Sequence, residues 1–167
     1  EFRARGWVNF GVDPDIANWA KHAHHLACDA VRDPKNAQWR RCDGTWFVGV
    51  NVLGNGADGS IASSGALGGT AVDFITDLIG QRAEFDAAQI SVVYPGYPRQ
   101  QDESDGAFGY RLDRDAAHVD GLSRVGPNNA RMLREPHAFV LGIPLTHTSA
   151  KASPIVVWEG SHLVMQR

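Results

Sequence analysis

The first third of the chain has apolar residues at helical spacing. Asp13-Pro14 is typical of an N-cap followed by the first helical residue, and the pattern continues to Asp33-Pro34. The apolar positions are Ile16, Trp19, Ala20, Ala23, Leu26, Ala27, Ala30 and Val31. His22, His25 and Asp29 lie on the opposite face, which we interpret as a solvated polar face rather than a metal site. The pattern predicts an amphipathic helix.

A strand, a glycine-rich segment and a second helix are predicted next. Thr45 to Val52 is rich in aromatic and β-branched residues and leads into Gly54 to Gly69. This segment contains the letters of the dinucleotide fingerprint, G-x-G-x-x-G, but no helix is predicted to open at its third glycine, so we favour a flexible loop. Thr70-x-x-Asp73 then has the pattern of a capping box, and the predicted helix ends at Gly80.

Strand-like runs dominate from about residue 89 onward. They are Gln89 to Tyr94, Ala107 to Leu112, His137 to Leu145 and Pro154 to Glu159, and turn-forming residues separate them. Two helices followed by short strands indicate an α+β chain built on an antiparallel sheet sandwich. The length of 167 residues fits a single domain, residues 1–167.

Composition and charge narrow the function classes. The formal net charge of −3 lacks the basic character of a nucleic-acid-binding surface, so we expect no nucleic-acid partner. The apolar runs are far shorter than the ~20 residues of a membrane-spanning helix, so we expect no membrane partner. Two cysteines are too few for a disulfide framework, and we expect a reducing, cytoplasmic location.

The main candidate for chemistry is the sequence His118-Val119-Asp120-Gly121. In a strand, residues i and i+2 point to the same face, so an imidazole and a carboxylate could converge on one ion. Two histidines and one carboxylate are the ligand set of non-haem iron(II) sites that activate oxygen. Roughly 0.6 H-x-D pairs are expected by chance in a chain of this composition, so from the spacing alone we favour a surface hydrogen bond between His118 and Asp120.

Three segments, in order and spacing, resemble the phytanoyl-CoA dioxygenase family. They are Tyr110 to Gly121, His137 to Leu145, and Val156 to His162, which ends in Gly-Ser-His. Gly6 to Phe10 is similar to the N-terminal strand of that family. The resemblance implies a mainly β, double-stranded β-helix (jelly-roll) fold with N-terminal helices packed on the sheet. It also implies an enzyme that uses Fe(II), O2 and 2-oxoglutarate to hydroxylate a small-molecule substrate.

The resemblance also implies residue roles. His118 and Asp120 match the first two iron ligands, and the carboxylate of Asp120 favours hydroxylation over halogenation. Two alternatives remain for the third ligand. In one, the chain is a C-terminally incomplete oxygenase, inactive by itself, and the distal histidine and the 2-oxoglutarate-binding arginine lie further along. In the other, a divergent short form, His162 and Arg167 fill those roles.

The remaining expectations concern the binding of 2-oxoglutarate and an alternative, non-catalytic function. Tyr94 lies where related folds line the cosubstrate pocket, so it is a candidate for binding 2-oxoglutarate. The alternative function is a non-catalytic jelly-roll binding module in which the H-x-D pair is structural. The substrate and the oligomeric state are left open, and no basic cluster indicates a site for the phosphates of CoA.

Overall fold

The protein has an α+β fold, as the order of its elements predicts. The computed structural model describes residues 2–113, 118–128, 130–135 and 137–165. Its helices and strands, in chain order, are α1 (Phe2–Arg5), α2 (Pro14–Arg32), β1 (Arg40–Arg41), β2 (Trp46–Gly49), α3 (Thr70–Ile79), β3 (Ile90–Val93), α4 (Asp105–Asp113), β4 (Leu122–Val125), β5 (Ala130–Leu133) and α5 (Ser161–Met165). A 3₁₀ turn covers Pro34–Trp39. No helix among the described residues is long and apolar enough to cross a membrane.

The chain divides into two compact units. The major unit contains the residues up to Gln101 together with those from Ile143 onward, and the minor unit is Asp102–Gly142. The larger sheet, in the major unit, is antiparallel with strand order β1-β2-β3. Trp46 pairs with Val93 and Gly49 with Ile90, which confirms the two strands predicted within Thr45–Val52 and Gln89–Tyr94.

Helix α2 has the predicted bounds because both its ends are capped locally. The Asp13 carboxylate accepts hydrogen bonds from the backbone N–H groups of Asp15 and Ile16, at 2.9 and 3.3 Å. Trp19, Ala23 and Ala27 are the buried residues of the helix and contribute to the core. The amphipathic interpretation of this segment is therefore confirmed.

The start of α3 differs from the capping-box prediction. Thr70 is the first helical residue, not the cap, and its N–H and hydroxyl both donate to the second carboxylate oxygen of Asp13, at 2.8 and 2.9 Å. One carboxylate thus caps two helices. These hydrogen bonds hold the pKa of Asp13 below its ordinary value, and the bond from the Thr70 backbone has the largest effect. Gly69 precedes the helix with a φ of +98°, and a Cβ there would lie 2.6 Å from the carboxylate.

The glycine-rich segment is an ordered part of the core. Gly59 is buried, and its carbonyl accepts a hydrogen bond of 2.7 Å from the indole of Trp19 in α2. Ile61 is only 2% exposed, and the N–H of Leu67 donates to the carbonyl of Asp58. The segment is a loop, as expected, and packing and backbone hydrogen bonds hold it at these residues. No helix begins at Gly59, as expected, so the phosphate-binding geometry of the dinucleotide fingerprint is not formed.

The minor unit contains a helix where a strand was predicted. Ala107–Leu112 lies within α4, so that prediction is wrong. The Ser104 hydroxyl accepts a hydrogen bond from the N–H of Ala107 at 3.2 Å, which supplies an N-terminal cap, and Arg111 pairs with Glu103. These local contacts outweigh the strand-like alternation of Phe108, Tyr110 and Leu112. The antiparallel β4–β5 pair follows, with Leu122 opposite Leu133.

Two further predicted strands are absent from the described residues. Neither His137–Leu145 nor Pro154–Glu159 contains a strand there. Ile155, Val156, Val157 and Trp158 have no regular secondary structure and have exposed side chains, Ile155 being 87% exposed. A β-rich composition produces a strand only where another strand supplies hydrogen-bond partners, and among the described residues no ladder includes this run.

Candidate metal centre

His118 and Asp120 lie in the minor unit, in the loop immediately before β4. Gly121, the next residue, has a φ of +76°, and a Cβ at this position would lie 2.0 Å from the carbonyl oxygen of Glu135. The Gly121 carbonyl accepts a hydrogen bond of 2.9 Å from the N–H of Arg134. Only glycine permits this close approach of two backbones. The approach anchors the end of the His118-Asp120 segment to the residues that follow β5.

The two side chains meet as the sequence predicts. The Nε2 atom of His118 lies 3.2 Å from the Oδ1 atom of Asp120, although the residues are in a loop and not in a strand. Their side chains are 76% and 58% exposed. At this distance the pair forms a solvent-exposed hydrogen bond or, when the imidazole is protonated, an ion pair.

The donor set and its spacing also fit two neighbouring ligands of a metal ion. Donor atoms at about 2.1 Å from an ion and at right angles to each other are roughly 3.0 Å apart. The observed separation of 3.2 Å is within a few tenths of an ångström of this value. Imidazole and carboxylate are ligands that iron(II) sites of oxygenases use.

His162 has a different environment, in the major unit. Its Nε2 atom lies 2.9 Å from the carbonyl oxygen of Arg3, near the end of α1, and so donates to it. Its Nδ1 atom is buried and has no hydrogen-bond partner among the described residues. A Cβ at Gly6 would lie 2.3 Å from this Nδ1 atom, so Gly6 is the residue that leaves space for the ring. Both ring nitrogens are therefore occupied or enclosed by the N-terminal segment.

Neighbouring residues hold the same two chain segments together. Glu159 accepts hydrogen bonds from Arg5 Nε at 2.9 Å and from the indole of Trp7 at 3.2 Å, and the Gly160 N–H donates to the Arg5 carbonyl at 2.8 Å. The hydrogen bond from Arg5 is the main cause of a lowered pKa of the Glu159 carboxyl, and the bond from Trp7 also lowers it. We call the contacts of residues 2–7 with residues 159–162 the terminal clasp. Its presence gives His162 a structural role in this conformation.

The remaining predicted residues are not drawn into a common site. Tyr94 directly follows β3, its N–H donates to the Thr45 carbonyl at 2.9 Å, and its ring centroid lies 5.8 Å from the Arg40 guanidinium carbon. Arg167 lies outside the described residues. Within the described ranges, no three His, Cys, Asp or Glu side chains form a group that could hold a metal ion. Of the predicted site, the structure brings together His118 and Asp120.

The sequence interpretation missed one contact between two side chains of types that can bind metals. His24 and Cys28 contact each other on α2, and their i, i+4 spacing is the signal that could have identified them. The sequence interpretation considered His22, His25 and Asp29 on the same helix instead.

The comparisons with known proteins assign no family to this chain, so the geometry described above is the basis for inferring its function. No protein-family model, no curated protein and no solved structure matches this chain.

Proposed function

We propose that the protein is an iron(II)- and 2-oxoglutarate-dependent dioxygenase of the phytanoyl-CoA dioxygenase type, which hydroxylates a small molecule within a double-stranded β-helix. The observation that carries the proposal is the 3.2 Å separation between His118 Nε2 and Asp120 Oδ1. The order and spacing of the segments that resemble the family support it, since they assign these same two residues to the metal.

His118 and Asp120 would hold the ion as neighbouring ligands. A neutral imidazole donates a lone pair through Nε2, and the carboxylate neutralises part of the charge of the ion. When bound, iron(II) would activate O2, with two of the four electrons that reduce O2 coming from oxidative decarboxylation of 2-oxoglutarate and two from the substrate. A site with two histidines and one carboxylate would need one further histidine beside these two residues.

The exposure of the pair predicts weak binding of the metal by the chain alone. Side chains that are 76% and 58% exposed must give up hydration and rotamer freedom to bind, and water competes for every open position. 2-Oxoglutarate adds two donor atoms to the same ion, so its presence should tighten the binding of iron(II).

The test is anaerobic titration of the full chain with iron(II) in the presence of 2-oxoglutarate. The expected result is the visible charge-transfer absorption of an iron–2-oxoglutarate complex, which His118→Ala and Asp120→Ala each abolish. His147→Ala, an exposed histidine in the major unit, is the matched control and should leave the absorption unchanged. Equal iron uptake by the parent chain and both ligand variants would remove the proposal.

A second candidate is a binding module in which the H-x-D pair is structural. The direct contact between two exposed side chains favours it, because such a contact is complete without a metal. In that case neither iron uptake nor oxygen consumption dependent on 2-oxoglutarate is expected. Instead, Asp120→Ala should lower only the stability of the minor unit, seen as faster amide exchange in β4 and β5.

A further inference from the structure

A thiol and an imidazole face each other on helix α2. The Cys28 sulfur lies 3.8 Å from the Nε2 atom of His24, one helical turn earlier. Both residues are half-buried, and Cys28 forms no disulfide. Residues four apart lie on the same face of a helix, so the backbone holds the two donor atoms in register without help from a loop.

The separation of these atoms matches two corners of a tetrahedral metal shell. Zinc lies about 2.3 Å from a thiolate sulfur and about 2.1 Å from an imidazole nitrogen, which places the two donors about 3.6 Å apart at the tetrahedral angle. The observed 3.8 Å differs from this by a few tenths of an ångström. A rotation of either side chain within its rotamer well covers that difference.

We propose that His24 and Cys28 form a two-point chelating site for a borderline-soft transition-metal ion of the Zn²⁺ class. Sulfur and imidazole nitrogen select such ions over Mg²⁺ and Ca²⁺, which prefer oxygen ligands. Binding replaces the thiol proton of Cys28 by the metal, and the proton goes to solvent. Water or an external ligand occupies the other two positions of the ion.

A cavity lies beside His24, and Cys28 is not among the residues that line it. Its volume is about 410 Å³, and His24 lines it together with Ala17, Ala20, Lys21, His25, Pro144 and Leu145. The rings of His24 and His25 are edge to face with centroids 5.9 Å apart, so His25 helps to fix the orientation of the ligating imidazole. All these residues belong to the major unit.

This site is chemically distinct from the proposed iron site. His118 and Asp120 offer nitrogen and oxygen and lie in the minor unit, whereas His24 and Cys28 offer nitrogen and sulfur. Only the His24-Cys28 site gives a thiolate-to-metal charge-transfer band. The two proposals can therefore fail independently.

The experiment is titration of the full chain with Co²⁺ as the probe, under argon with a phosphine reductant. The expected result is a near-ultraviolet thiolate-to-cobalt band that saturates at one equivalent. Cys28→Ser should abolish the band, and His24→Ala should raise the apparent Kd by about tenfold or more. His22→Ala on the same helix and Cys42→Ser are the matched controls and should keep it, as should Asp120→Ala.

A second readout does not depend on the variants. Zn²⁺ should slow the alkylation of Cys28 by iodoacetamide, located by mass spectrometry, and leave the rate at the buried Cys42 unchanged. Far-UV circular dichroism of each variant confirms that α2 is formed. The absence of a thiolate band in the parent chain, its persistence in Cys28→Ser or unchanged alkylation of Cys28 would overturn the proposal.

Discussion

The hydrogen bond from Trp19 to Gly59 allows a quantitative test of how the glycine-rich segment is held. Trp19 is 7% exposed, and its indole N–H donates to a buried carbonyl at 2.7 Å. In Trp19→Phe that carbonyl loses its donor in a region closed to water. An unsatisfied buried polar group costs about 1–3 kcal/mol, and the lost ring volume adds about 1 kcal/mol. We expect the free energy of unfolding to fall by about 2–4 kcal/mol.

Urea denaturation followed by far-UV circular dichroism measures this change without relying on tryptophan fluorescence. With a slope of roughly 2 kcal/mol per molar urea, the midpoint should fall by about 1–2 M. Trp158→Phe is the matched control, because Trp158 is 61% exposed and its substitution should change the free energy by less than about 0.5 kcal/mol. A Trp19→Phe change as small as that of the control would refute the view that this bond anchors the segment.

The other predictions concern the same packing and the terminal clasp. Ile61→Ala should destabilise the protein by about 2–5 kcal/mol and Ile61→Val by about 0.5–1.5 kcal/mol in the same urea assay, whereas a flexible segment would give no such gradation. Gly69→Ala should lower the melting temperature, because a Cβ would meet the Asp13 carboxylate and the φ of +98° disfavours alanine. Because the folded-state pKa of Glu159 is lowered, its stabilising contribution is complete above the ordinary value of 4.5 and is lost as pH falls through the folded value. The loss of melting temperature between pH 6 and 3 should therefore be shallower in Glu159→Gln; equal slopes would contradict the clasp.

The sequence predicts helices α2 and α3 because most of their determinants are local. The short helices α1 and α5 of the same unit are not predicted. Asp13 and Pro14 define the start of α2, and Gly80 in the left-handed conformation ends α3. The capping-box prediction for the start of α3 fails because the cap is distant in sequence. The cap of α3 comes from Asp13, 57 residues away, and no pattern around Thr70 reveals such a partner.

Strands are predicted less well because a strand needs a neighbour. The β-rich runs of β2 and β3 pair with each other and therefore form an antiparallel ladder. The run from Ile155 to Trp158 has an equally β-rich composition, but no described strand pairs with it, and it is exposed and without regular secondary structure. Ala107–Leu112 fails for another reason, since the Ser104 cap and the Arg111–Glu103 ion pair are local helical signals that the alternating pattern concealed.

The candidate site shows the same difference between local contacts and contacts that are distant in sequence. His118 and Asp120 are in contact, but the strand geometry from which the contact was predicted is absent, because the two residues lie in a loop. The role of His162 depends on Arg3 and Gly6, more than 150 residues away in sequence, which no local pattern reveals. Because its Nε2 atom donates to Arg3 and its Nδ1 atom is enclosed, His162 can serve a metal only if the terminal clasp opens. Metal binding by His162 would therefore compete with its contacts to Arg3 and Gly6 in the terminal clasp.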